Sequence, residues 1–189
     1  MSPFEFVTIF YSVIVGLALS HILGAMSDLI EIRERVKTYW LNSVWVVTVI
    51  IWTIFAWWGL WDLVKLESWT YAGFWLVVTN LASIYFITTL VLPKAIEEGE
   101  IDLEAHYFSV RKVFFSMIAY SLYSSVLMNH YLFGKAAISE FTVMPFIVGT
   151  AALAGVFTDS RKYHQGIGVF FLFLFIMFQL MDTTVINAA

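Results

Sequence analysis

Apolar residues gather in six stretches, each near the length of about 20 residues that one bilayer crossing takes. They run from Phe4 to Leu29, Trp40 to Leu63, Tyr71 to Leu92, Val113 to Phe133, Phe141 to Phe157 and Ile167 to Ile186. The fifth is the shortest and carries Pro145. It is rich in small residues (Gly149, Ala151, Ala152, Ala154, Gly155), as a helix packed among others would be. The pattern predicts an all-α, polytopic integral membrane protein of six transmembrane helices. Residues 1–189 form one domain, with no linker or low-complexity tract between its parts.

The segments between these stretches give the orientation. Cytoplasmic loops collect lysine and arginine. Arg33, Arg35 and Lys37 fall in the first loop, Lys94, Arg111 and Lys112 in the third, and Arg161 and Lys162 in the fifth, while the other side holds only Lys65 and Lys135. Loops one, three and five are therefore expected in the cytoplasm and both termini on the extracytoplasmic side. The expected location is the cell membrane, crossed several times, which in a bacterium is the inner membrane. Ala18-Leu19-Ser20 resembles a signal-cleavage site, but Glu5 is the only charged residue among the first eight. Without a positive leading region the first stretch reads as a retained helix.

Composition narrows the function classes. A chain of 189 residues that is 61% hydrophobic and 13% charged, with mean hydropathy +0.84, excludes a soluble enzyme, a DNA-binding module and a disordered tail. The absence of cysteine removes disulfides, thiolate metal sites and thiol redox chemistry. A net charge of −4 with no basic run speaks against nucleic acid as a partner. All eight tryptophans lie between Trp40 and Trp75. Trp57, Trp58, Trp61 and Trp69 suit an outer aromatic belt, with Trp40 at the inner boundary. Trp45 and Trp52, seven apart on one face, lie deeper, as a helix-packing face or a stacking wall for an apolar ligand.

Polar groups enter the bilayer chiefly through the first helix. Thr8, Ser12, Gly16, Ser20, Gly24 and Asp28 recur at an unbroken spacing of four, with Glu5 before them and His21 beside them. Such a column admits the close approach of a neighbouring helix, or it lines a hydrated route for an ion or small polar solute. At 1.5 Å per residue, His21 lies about 24 Å below Glu5 and Asp28 reaches the inner boundary. Glu5, His130 and Asp182 are expected in one outer layer, either as a proton or cation site or as separate helix ends at the headgroups. Asn80, in the middle of the third stretch, calls for an interhelical hydrogen-bond partner.

No catalytic motif or phosphate-cradling loop is found, and nothing in the sequence favours catalysis. No cofactor or metal is expected. His21 and His130 differ in depth too much to share a haem. Two classes remain. One is a channel or transporter, expected to be a homo-oligomer, with Glu5, Thr8, Ser12, Ser20, His21, Asp28, Asn80, His130 and Asp182 along its polar interior. The other is a non-transporting sensor, scaffold or assembly factor that docks a cytoplasmic protein partner on the acidic loop 93–112. That loop holds Glu97, Glu98, Glu100, Asp102 and Glu104, and part of it after Gly99 is expected to form a short interfacial helix.

Overall fold

The computed structural model describes residues 3–66, 68–95 and 99–181, of which Pro3 and Glu140 are described as backbone only. Six long helices account for most of them. They are α1 (Pro3–Glu31), α2 (Trp40–Trp58), α4 (Tyr71–Val91), α5 (Leu103–Tyr131), α6 (Glu140–Phe157) and α7 (Arg161–Met181), while α3 (Leu60–Leu63) is a single turn that continues α2 beyond Gly59. Four spans are long and apolar enough to cross a membrane: α1, α2 with α3, α4, and α7. The other two fall short for different reasons. The 29 residues of α5 include serines, Asn129 and His130 in its second half. The 18 residues of α6 are apolar but extend only about 27 Å, just under a hydrocarbon core of about 30 Å.

Two of the expected boundaries are corrected. Leu103–Lys112 belongs to no loop or separate interfacial helix; it is the start of α5, continuous with the fourth apolar stretch. The sixth helix begins at Arg161 rather than Ile167, so His164, expected in the fifth loop, is helical. The expected end of that helix, 182–186, lies outside the described residues. Both new helix starts are polar because they are set by capping. The Asp102 carboxylate accepts the backbone N–H groups of Glu104 and Ala105 at 2.9 and 3.0 Å, meeting two of the donors a helix start leaves open. At its other end α5 closes on Gly134, whose φ of 61° suits glycine, and Lys135 N–H donates to the Asn129 carbonyl at 3.0 Å.

The bundle is held by aromatic packing on one face of each helix. Along α1 the buried residues Val7, Tyr11, Val15, Ala18, Ile22 and Leu29 form a seam, and the Tyr11 hydroxyl donates to the Ala56 carbonyl of α2 at 2.6 Å. The ring pairs Phe6–Phe74 and His21–Tyr85 run α1 parallel to α4. Trp45–Phe171 and Trp52–Phe175 run α2 parallel to α7. Asn80 on α4 reaches Ser121 and Ser124 of α5, while His106 near the start of α5 reaches Leu90 at the end of α4, so this pair is antiparallel. Trp45 is fully buried against Phe114, Phe115 and Phe171. It and Trp52 therefore form a packing face, and α7 buries Phe171 and Phe175 there while Phe170 and Phe173 stay exposed.

At one end of the bundle the first, third and fifth connections interlock. Val36–Lys37 pairs as a short parallel strand with Ile101–Asp102. The Lys37 ammonium meets the Asp102 carboxylate at 2.6 Å, Arg161 meets Glu104 at 2.8 Å, and Arg111 pairs with Asp159. The hydrogen bond from Lys37 holds the Asp102 carboxyl below the usual aspartate range and raises Lys37 in turn. Burial pushes the His106 imidazole down, so it is neutral while its Nε2–H donates to the Leu90 carbonyl at 3.0 Å.

Two predictions follow from this packing. A Cβ added at Gly168 would stand 2.5 Å from Leu41 Cδ1 and 3.2 Å from Trp45 Nε1, whereas one added at Gly24 would meet nothing within 4 Å. In thermal unfolding of the purified protein, Gly168→Ala should destabilise by about 1–3 kcal/mol. Gly24→Ala should match the parent or gain up to about 1 kcal/mol from helix propensity. The second concerns acid. A carboxyl with a depressed folded pKa contributes stability above its unfolded pKa of about 3.9, lost as pH falls through the lower folded value. Hydrogen-exchange protection of Glu104 and Ala105 should therefore fall as pH drops below about 4, and at neutral pH in Asp102→Ala.

Candidate functional site

Polar side chains in a largely apolar bundle divide into those the fold consumes and those it leaves over. Thr8 and Ser12 belong to the first group. Their hydroxyls donate to the carbonyls of Phe4 and Thr8 one turn back, at 2.8 and 2.7 Å. Asn80 is consumed as well, its Nδ2 donating to the Ser121 carbonyl at 2.8 Å and to Ser124 Oγ at 2.7 Å. These bonds tie α4 to α5, the interhelical partnership the sequence calls for at Asn80.

The outer layer is only partly visible. Glu5 is exposed near the start of α1. His130, exposed near the end of α5, directs Nδ1–H to the Lys135 carbonyl at 3.0 Å. No contact joins Glu5 to His130 among the described residues, and Asp182 lies outside them. A cavity of about 660 Å³ opens at this end and is lined by Phe55, Trp58, Trp61 and Phe141 with Lys65 and Lys135. Its charged and polar groups are engaged. Lys65 meets Asp62 at 2.6 Å, Lys135 lies 4.4 Å from the centre of the Phe141 ring, and Asn129 donates to the Ser125 carbonyl.

The second half of α1 is different. The line Gly16, Ser20, Gly24, Asp28 is exposed on the outside of the bundle, and no neighbouring atom lies within 4 Å of a Cβ built at Gly16 or Gly24. Among the described residues no helix packs into the column. Ser20, His21, Gly24 and Asp28 instead form one wall of an open cleft of about 460 Å³, and Leu92, Pro93, Lys94 and Ala95, just past the end of α4, form the other. The structure thus brings three of the sequence-predicted residues, Ser20, His21 and Asp28, to one place. It adds Lys94, whose position the sequence signals only indirectly. Pro93 stops α4 there, which puts the next side chain level with the end of α1. Among the described residues no hydrogen bond or ion pair involves the side chains of Ser20, Asp28 or Lys94, and the His21 ring has only its contact with Tyr85.

A second histidine, unforeseen as a core residue, shows what a consumed polar group looks like. His164 is fully buried. Its Nε2–H donates to the Thr158 carbonyl at 2.9 Å, so Nδ1 accepts from the Tyr107 hydroxyl at 3.0 Å. The arrangement joins α5 to α7 and fixes the neutral tautomer. The charged pair Arg161-Lys162 marks this region as a loop in sequence, which hid it.

Among the described residues no group of three His, Asp or Glu side chains could hold a metal ion. The cleft can instead offer one carboxylate, one ammonium, an imidazole and a hydroxyl to a polar guest. Comparison with protein-family models, curated proteins and solved structures finds no match to this chain.

The two histidines should separate by stability. His164→Leu strands the Thr158 carbonyl and the Tyr107 hydroxyl, at about 1–3 kcal/mol for each buried group left unmet. His21→Leu should stay within about 0.5 kcal/mol of the parent. Chemical or thermal unfolding in detergent measures both.

Proposed function

We propose that the protein crosses the cell membrane six times with both termini on the extracytoplasmic side, and moves a small ion or polar solute along the polar face of its first helix as a homo-oligomer. The crossing pattern is supported by helix direction. α1 runs with α4 and α2 with α7, while α5 opposes α4. It is supported further by the meeting at one end of the first, third and fifth connections with the polar starts of α5 and α7, which together carry eight of the ten lysines and arginines. The oligomer is supported by the open side of α1. A solute at Ser20 or Asp28 stands outside the single chain, and a second copy would enclose the route.

The observation that carries the transport reading is the cleft of Ser20, His21, Asp28 and Lys94, polar groups that the fold does not use. Ser20 and His21 lie within the first apolar stretch, while Asp28 and Lys94 lie at its expected inner boundary and just past the end of α4; polar groups within a membrane helix that open to such a boundary mark solute pathways. The alternative, docking of a cytoplasmic partner on residues 93–112, draws less support. Asp102 and Glu104, two of its five acids, are taken up by Lys37 and Arg161.

Flux into liposomes holding the purified protein tests the proposal. Uptake of at least one small ion or polar solute should exceed that of empty vesicles. Asp28→Asn and His21→Ala should each lower it about tenfold, the value of one charge-assisted contact. Flux no greater than that of empty vesicles across a panel of ions and solutes would overturn transport in favour of the scaffold.

A further inference from the structure

Resting on the reading of the α1 cleft as the place where a solute is held, we infer that this cleft recognises a zwitterion: a small molecule carrying an ammonium and an acid group a few bonds apart. Asp28 lies in the last turn of α1, where the helix dipole presents its negative end and a carboxylate is disfavoured. Glu31 adds a second negative charge in that turn, which holds no basic residue. Lys94 lines the same cleft, yet among the described residues neither Asp28 nor Lys94 makes an ion pair. Two opposite charges thus face one space without neutralising each other.

The ligand class follows from that charge pattern. A simple cation would neutralise Asp28 and be repelled by Lys94, and a simple anion would meet the converse. A guest with both charges satisfies both walls, its ammonium on the Asp28 carboxylate and its acid group on the Lys94 ammonium. A divalent metal lacks ligands, since Asp28 and His21 are not joined by a third donor among the described residues. Ser20 and His21 stand about 10–12 Å along the helix from Asp28 and offer a hydroxyl and an imidazole to the rest of the guest. Between them Gly24 leaves the floor of the cleft open. A volume of about 460 Å³ suits a small solute. The same chemistry belongs to free amino acids and to the phosphoethanolamine headgroup of a lipid.

The test is equilibrium binding by ligand-observed NMR to the full chain in phosphatidylglycerol nanodiscs, with no gradient imposed. The probes are glycine, 4-aminobutyrate, glycerophosphoethanolamine, methylammonium and acetate. At least one zwitterion should bind about tenfold more tightly than methylammonium and acetate, the worth of the second charged contact. Asp28→Asn should reduce that zwitterion to the level of acetate, and Lys94→Gln to the level of methylammonium. Lys65→Gln, at the opposite end of the bundle, should leave binding unchanged. Tighter binding of glycerophosphoethanolamine than of the amino acids assigns the lipid headgroup as the source, and the reverse assigns a free solute. The inference is overturned if methylammonium or acetate binds as tightly as every zwitterion, if the advantage survives both cleft substitutions, or if no probe binds. Flux of an inorganic ion without zwitterion preference defeats this inference and leaves transport standing. Zwitterion binding without flux does the reverse.

Discussion

A polar side chain surrounded by hydrocarbon has no water to fall back on, so it must be satisfied by its own helix, by a neighbour or by a guest. That constraint organises this bundle. Thr48 and Thr53 bond back to the carbonyls of Val44 and Val49, within α2. Asn42 donates to the Val91 carbonyl at 2.9 Å and Asn80 bridges to Ser121 and Ser124, which join α4 to α2 and α5. His164 joins α5 to α7. At His164 the polar link lies among aromatic contacts with Tyr107, Phe108 and Phe115, whereas the asparagine links of α4 to α2 and α5 stand without a ring pair among the described residues.

The same constraint separates structure from function. Where every polar atom is met inside the chain, as at His164, nothing is left to recognise a ligand. At the α1 cleft the groups are unmet, and the backbone beneath them is glycine with space above it. The outer cavity is larger but its cations are already balanced by Asp62 and by the Phe141 ring.

Much of the helical layout is legible in the sequence, because apolarity and length report on the bilayer directly. The boundaries of α1, α4 and α6 fall within two residues of the apolar stretches. What escapes that reading are the polar first turns of α5 and α7. A helix persists as long as its backbone bonds and caps are satisfied, and Asp102 starts α5 ten residues before the apolar run begins. The spacing of four along α1 correctly groups Ser20, Gly24 and Asp28 on one line, but spacing cannot say which way a line faces. That depends on the stronger seam of Val7, Tyr11, Val15, Ala18 and Ile22, which turns the small residues outward. Asp102 and Glu104 read as free acids because their partners, Lys37 and Arg161, are distant in sequence and adjacent only in the folded chain.

The interlocked end of the bundle bears on how the chain is completed during synthesis. Lys37 emerges early and waits for Asp102, and Tyr107 and Glu104 wait for His164 and Arg161 at the start of the last helix. Trp45 likewise lacks its Phe171 neighbour until that helix arrives. A chain released before α7 would present an open aromatic face and unanswered charges to the cell's quality-control proteases. Among the described helices α7 is therefore the one that closes the packing around Trp45 and His164.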